Sequence, residues 1–184
     1  MEFKETFELD YADLQACSLF KATSDVRFYL MGVYVGGGII AATNGHCCLI
    51  CNVPEVAVLD LIIPAESINS LIRKVGKKPR IKAVLLHKLD DGYWLLDHVG
   101  SYELFKPIDG KFPDVKRVDI PKPDKYPDEG FPQFNFDYLR DFQKAAEVYF
   151  SRGAMPKLFP TSLNGVCYVE INDRVHGLIM PLMG

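Results

Sequence analysis

At 184 residues, with 48% hydrophobic and 24% charged residues, the chain has enough apolar material to bury a core and reads as folded rather than disordered. Its formal charge of −3 excludes a globally basic nucleic-acid binder, and its mean hydropathy of +0.02 comes with no apolar run long enough to span a bilayer. The N-terminal MEFKETFELD is charged and lacks a signal-peptide core, so a cytoplasmic protein is expected.

Residues 3–9 read as a short edge strand leading into a helix over 10–22, with Asp10 as N-cap and a modest apolar stripe of Leu14, Cys17 and either Phe20 or the stem of Lys21. Lys21 is the one cation this helix offers, set against Asp13. Residues 27–35 alternate and are rich in aromatic and β-branched types, which predicts a strand. Gly36-Gly37-Gly38 supplies the positive φ of a tight hairpin. A strand over 39–42 then meets Thr43-Asn44-Gly45-His46, in which Asn-Gly is a strong turn signal, and a third strand leaves over 47–52.

Five cysteines, Cys17, Cys47, Cys48, Cys51 and Cys167, are odd in number and come without a secretory signal, which argues against a disulfide framework. His46, Cys47, Cys48 and Cys51 carry zinc-ligand chemistry, but a second ligand pair at motif spacing is absent and neighbouring strand residues face opposite ways. No metal and no cofactor are expected.

A second unit follows the same order. A strand over 59–63 precedes Pro64, which suits a first helical turn, and Ile68, Leu71, Ile72 and Val75 fall at i, i+3, i+4 and i+7 up to a stop at Gly76. Strands are predicted over 81–87, 93–99 and 101–107, with turns at Asp91-Gly92 and Gly100. Residues 119–133, with Pro121, Pro123, Pro127 and Pro132, read as an extended linker. A third unit opens at Phe134. Asn135 or Asp137 caps its helix, whose apolar face is Tyr138, Leu139, Phe142, Ala145, Ala146 and Tyr149 and whose stop is Gly153. Strands over 158–163, 166–171 and 175–181 complete it.

Four stretches together resemble a known family. They are Arg27-Phe28-Tyr29-Leu30-Met31-Gly32 with Ala42-Thr43-Asn44-Gly45-His46; Asp109-Gly110-Lys111-Phe112-Pro113-Asp114-Val115-Lys116-Arg117-Val118; Phe134-Asn135-Phe136-Asp137-Tyr138-Leu139-Arg140-Asp141-Phe142; and Leu178-Ile179-Met180-Pro181-Leu182-Met183. In this order they are similar to bacterial sliding clamps, the β subunit of the replicative DNA polymerase, where the turn reads Thr-Asp-Gly-His and the chain ends Val-Val-Met-Pro-Met-Arg. The resemblance implies an α+β protein of DNA-clamp (processivity-fold) topology. Residues 1–118 would resemble the middle clamp domain, 119–133 the linker, and 134–184 the C-terminal half of the last domain. It is the pattern of a shortened relative, of the kind a phage or mobile element would carry.

By this resemblance the chain is a replication or repair processivity factor or docking platform that binds short peptides of polymerases and repair proteins. The alternative is a decoy that binds clamp-seeking peptides or host replication proteins without encircling DNA. The matching pocket positions are Arg27, Tyr29, Leu30, Thr43, Gly45, His46, Pro113, Arg117, Val118, Asn135, Tyr138, Ile179, Met180, Pro181 and Leu182. Leu, Val, Pro and Met form an apolar floor for a Leu or Phe anchor, Met adapts to several sequences, and His and Arg orient the peptide. The DNA-facing positions would be Arg73, Lys74, Lys77, Lys78, Arg140 and Lys144, which attract double-stranded DNA through non-specific phosphate contacts. A solvated helix face explains these cations equally well. No Walker loop, nucleophile elbow or catalytic triad is present, so no enzyme activity is expected. No membrane partner is expected. Because a half-domain leaves surfaces uncovered, a homo-oligomer is.

Overall fold

A computed structural model describes residues 3–182 of the chain; Met1, Glu2 and Gly184 lie outside the described residues, as does Met183, the last residue of the C-terminal resemblance. Alternation places Leu9 inside on β1 (Glu5–Asp10), where it is 1% exposed. Asp10 then caps α1 (Tyr11–Cys17), its Oδ1 accepting the Ala12 N–H at 2.8 Å. The hairpin of β2 (Gly32–Gly36) and β3 (Ile39–Thr43) turns on Gly37 and Gly38 at φ +57° and +83°, and β4 (Cys47–Asn52) follows the Asn44-Gly45 turn. The second unit comprises β5 (Asp60–Pro64), α2 (Ala65–Val75), β6 (Ala83–Lys88), β7 (Trp94–His98) and β8 (Ser101–Phe105). The third comprises α3 (Phe136–Tyr149), β9 (Lys157–Pro160), β10 (Cys167–Glu170) and β11 (Val175–Ile179).

Among the described residues all pairing is antiparallel and falls into two sheets, β1-β6-β7-β8 and β5-β2-β3-β4-β11-β10-β9. The first two units exchange their leading strands. β1 pairs with β6, Asp10 opposite Ala83, and β5 pairs with β2, Pro64 opposite Gly32. The third unit joins the first through β11 and β4, Ile179 opposite Cys47 and Val175 opposite Cys51.

Period-2 alternation gives the long sheet two cores. Cys47, Leu49 and Cys51 of β4 face the helices, with Leu14, Cys17, Phe20 and Phe142. Cys48 and Ile50 face outward into a smaller core with Leu30, Ile62, Phe112, Val115 and Leu178. Residues 107–118 cover that outer face: Phe112 stacks on Tyr34 at 5.0 Å, and Ile108 donates its N–H to the Ile62 carbonyl at 2.9 Å. The proline-rich stretch continues the covering over β9 to β11. Asp119 meets His176 at 2.9 Å, Lys122 sits 4.4 Å above Phe159, and Tyr126 stacks on Phe159 at 6.0 Å. Prolines lack the N–H that a ladder needs, so the stretch lies across the sheet without joining it.

Three expectations need correction. Residues 27–35 are not one strand: Phe28–Leu30 is a 3-10 turn and β2 begins at Gly32. Asp25 is the cause, because its Oδ1 accepts the Arg27 N–H at 2.8 Å and turns the chain, local chemistry that the apolar alternation hides. The first helix stops at Cys17 rather than running to 22. The N–H groups of Leu19 and Phe20 bond to the carbonyls three residues back, tightening the chain so that Phe20 meets Phe142 at 4.6 Å. Asp13 is not a surface charge set against Lys21. It is 1% exposed, and its carboxylate takes two bonds from Arg174, at 2.6 and 2.9 Å, and one from the Tyr149 hydroxyl at 2.7 Å. Burial holds the Tyr149 hydroxyl far above its ordinary pKa, and the bond to Asp13 raises that of Arg174.

Arg174→Ala leaves the Asp13 carboxylate buried without its cation and is expected to cost about 3 kcal/mol in urea unfolding. Adding Asp13→Leu should recover part of that loss. A single variant as stable as the parent would show that the pair does not hold the units together.

Candidate functional site

The turn after β3 is held by its own side chains. Asn44 Oδ1 accepts the N–H groups of His46 and Cys47 at 2.9 and 3.0 Å, and Thr43 Oγ1 accepts the Gly45 N–H at 3.0 Å while donating to the Cys47 carbonyl at 2.8 Å. Gly45 sits at φ +91°, and a Cβ there would stand 3.1 Å from the Arg27 guanidinium. That guanidinium grips Asp25 at 2.7 and 2.9 Å, and these bonds pull the Asp25 carboxyl down to about 2. The result is a rigid knob that presents His46 to solvent.

Residues far away in the chain converge on this knob. The Met180 N–H bonds to the His46 carbonyl at 2.9 Å, which ties the end of β11 to the turn. The His46 ring stacks on Tyr138, centroids 5.9 Å apart and planes 15° apart. Tyr138 is set there by Asn135, whose Oδ1 caps α3 by accepting the Asp137 N–H at 2.8 Å. The Leu182 N–H reaches the Gln133 carbonyl at 2.8 Å. Ile179 and Pro181 turn inward, while Met180 and Leu182 stay 48% and 52% exposed.

The other named positions gather beside this group. Leu30 is buried in the outer core with Leu178, Phe112 and Val115, so it supports the surface from below. Val118 is 59% exposed just beyond the 3-10 turn Val115–Arg117, and Arg117 pairs with Asp114 at 3.1 Å. Tyr29, Pro113 and Arg117 line an open cavity of about 1010 Å³ beneath residues 107–117, together with Tyr34, Asp60 and Ile108. His46, Tyr138 and Met180 do not line it. The fifteen positions thus form two neighbouring clusters connected through the Leu30–Leu178 core, and buried Thr43, Leu30 and Ile179 are supports rather than contact surface. Sequence reading missed Asp25, Gln133 and Leu178. Only Asp25 carried a signal, an Asx residue two positions before the residue it turns.

The six cations of the helical side divide. Lys74 is tied to Glu103 at 2.7 Å and to the Tyr102 carbonyl at 2.8 Å; Arg140 pairs with Asp137 at 2.8 Å and Lys144 with Asp141 at 2.9 Å. Among the described residues Arg73, Lys77 and Lys78 are exposed and make no ion pair. Lys77 and Lys78 share a shallow cleft with Lys144, Gln15, Leu19 and Glu147, where the end of α2 meets α1 and α3.

The cysteines are packing residues. Cys47 and Cys48 lie in opposite cores, and Cys17 and Cys51 bring their sulfurs to 3.6 Å beside the Tyr149 hydroxyl. Among the described residues no three metal-ligating side chains are grouped. Burial pushes the Cys47, Cys48 and Cys167 thiols up to about 12.

No family model matches the chain. The Beta sliding clamp of Salmonella typhimurium is 31% identical over 119 residues, which is 59% of this chain and 31% of that protein. A sliding clamp from Pseudomonas aeruginosa, solved with a ligand, superposes over the whole chain and 67% of its own length, with a TM-score of 0.73 at 19% identity. The chain is similar to the bacterial beta sliding clamps and has their fold. A clamp from Bartonella birtlesii bound to griselimycin gives a TM-score of 0.72 at 17% identity, again over 100% of this chain and 67% of the clamp. The chain spans about a third of the length of the curated clamp it matches. No helix among the described residues is long and apolar enough to cross a membrane.

The thiols give a pH test. Their folded pKa values lie above the ordinary value of 9.0, so their stabilisation is complete below pH 9 and is lost as pH rises towards 12. Unfolding free energy should therefore fall across that window, and the native protein should react with a thiol reagent only as fast as it opens. Rapid labelling of several cysteines at neutral pH would contradict this burial.

Proposed function

We propose that the chain is a clamp-type docking platform. It binds short linear peptides of polymerase or repair proteins on the surface between the Asn44-Gly45 turn, the start of α3 and the end of β11. The observation that carries this reading is the Met180–His46 main-chain bond, which brings the C-terminal stretch onto the turn and leaves Met180 and Leu182 exposed on a strand end tied to the stacked His46–Tyr138 pair. Exposed apolar side chains on a rigid frame, with Arg and His at the rim, suit a peptide bearing a Leu or Phe anchor and polar flanks. On this reading residues 1–118 act as one clamp-like domain and 134–184 as a half-domain that supplies the second wall.

A specific observation favours a decoy over an encircling clamp. Three of the six helix-side cations are neutralised by neighbouring carboxylates, so the phosphate-attracting field is weak for a chain of net charge −3.

A synthetic peptide with a Gln and a Leu-Phe pair should bind with a Kd of roughly micromolar, about −8 kcal/mol, in a calorimetric titration. Met180→Ala should weaken it by about 1–2 kcal/mol. Griselimycin, which the Bartonella clamp binds, is a second probe and should compete with the peptide. An unchanged isotherm for Met180→Ala would remove the site from this surface.

DNA gives the second measurement. With three unpaired cations, any duplex binding should vary with log salt at a slope of about −2 to −3. A slope several units steeper, with retention on circular DNA, would replace the decoy with a ring.

A further inference from the structure

The loop between α2 and β6, Lys77-Lys78-Pro79-Arg80-Ile81-Lys82, carries cations and no acid. Its main chain is fixed from beneath by two buried residues, Tyr11 and His98. The Tyr11 hydroxyl donates to the Gly76 carbonyl at 2.7 Å, and the Tyr11 N–H donates to the Lys82 carbonyl at 2.7 Å. His98 Nε2, which faces a carbonyl and so carries the ring hydrogen, donates to Ile81 at 2.9 Å. The two rings pack 5.3 Å apart.

Lys77, Lys78, Arg80 and Lys82 are all exposed, and among the described residues none of them forms an ion pair. The nearby carboxylates are engaged elsewhere. Asp10, close enough to Lys82 to feel its charge, caps α1. Glu147 accepts the Gly153 N–H at 2.8 Å, and Asp97 accepts the Gly100 N–H at 3.1 Å.

Apolar groups stand at both ends of this row of cations. At the Lys77 end a shallow cleft of about 180 Å³ has Leu19 of the first unit and Val148 of α3 among its walls. At the Lys82 end, Ile81 and Val99 are 51% and 68% exposed, brought together by the His98 bond. Val99 holds this place at φ +49°, in the left-handed region where a β-branched side chain is strained and Asn or Gly is at ease. Folding by itself gains nothing from that choice.

We propose that this loop is a second docking surface, independent of the peptide surface above, and that its partner is an acidic linear segment of another protein. An extended chain crossing from Lys77 to Lys82 spans at most about 20 Å, so the segment is about six residues long. Its carboxylates meet the lysine and arginine head groups, and an aliphatic side chain at each end enters the cleft or packs on Ile81 and Val99. The fixed main chain lowers the ordering cost of binding. The net charge of −3 does not oppose it, because charges beyond about 8 Å are screened at physiological ionic strength. Duplex DNA would offer phosphates to the cations and leave both apolar ends unused, which favours protein.

The probe is a fluorescein-labelled peptide with a run of Glu and Asp between two leucines, titrated with the full chain and followed by anisotropy. Lys77→Glu with Arg80→Glu should weaken its binding at least about tenfold. Replacing both leucines of the probe with serine should cost at least about fivefold. Val99→Asn relieves the backbone, so it should raise the thermal midpoint and still lower affinity for the probe. Met180→Ala should leave the probe's binding unchanged, so failure here and failure of the other surface are read separately. The proposal is overturned if the probe shows no saturable binding, or if the charge-reversed protein binds it like the parent. It is also overturned if the serine probe binds as well as the leucine probe, or if a short DNA duplex displaces the probe at lower concentration than unlabelled peptide does.

Discussion

The β4–β11 ladder is the contact on which the rest depends. It converts a four-stranded sheet into a seven-stranded one, and it places the end of β11 beside the turn between β3 and β4. Main-chain bonds set its spacing, but they have no preference for this register over one shifted by two residues. The Asp13 carboxylate supplies that preference. It is buried on α1 and satisfied only when Arg174, at the turn before β11, and Tyr149, at the end of α3, both reach it. A buried charge that lost these donors would be strongly penalised, so the pair acts on specificity of docking more than on net stability.

This arrangement explains what the sequence shows and what it hides. The repeated order of strand, helix and strands is legible because each unit buries its own periodic pattern, as in Ile68, Leu71 and Ile72 on α2. The turns at Gly37-Gly38 and Asn44-Gly45 are legible because few residues tolerate their backbone. Contacts between units are not legible. Asp13 and Arg174 stand 161 positions apart, and each looks like an ordinary surface charge in its own segment. The 3-10 turn at Phe28–Leu30 was hidden differently, since an alternating apolar run outweighed a single Asp25 that redirects the chain.

The candidate groove was legible as a set of four short stretches, and its division was not. His46, Tyr138 and Met180 belong with the turn, while Tyr29, Pro113 and Arg117 line the cavity under residues 107–117. The separation follows from Phe112, which stacks on Tyr34 and pulls that segment down onto β2 and β5. A docked peptide spanning both clusters would cross the surface above Leu30 and Leu178, where buried aliphatic groups give firm support without contributing polar specificity. Specificity would then come from the two ends, where His46 and the Arg27–Asp25 and Arg117–Asp114 pairs stand.

Sheet edges are the recurrent constraint of this fold, and the chain treats its edges differently. The β8 edge is blunted: Lys74 donates to the outward Tyr102 carbonyl and pairs with Glu103, and Ser70 bonds to the same carboxylate. Lysine on an edge discourages pairing with another strand, because adding one would strip the ammonium group of its bonds. At β9 the described ion pair, Lys157 with Glu170, lies within the sheet at 3.4 Å, and the strand ends on Pro160, which has no N–H. The proline-rich stretch crosses the face beside this edge, where Lys122 and Tyr126 pack on Phe159, without forming a ladder with it. The two edges are thus blunted by different means, β8 by a lysine held in place by Glu103 and β9 by a proline that offers no N–H to an incoming strand.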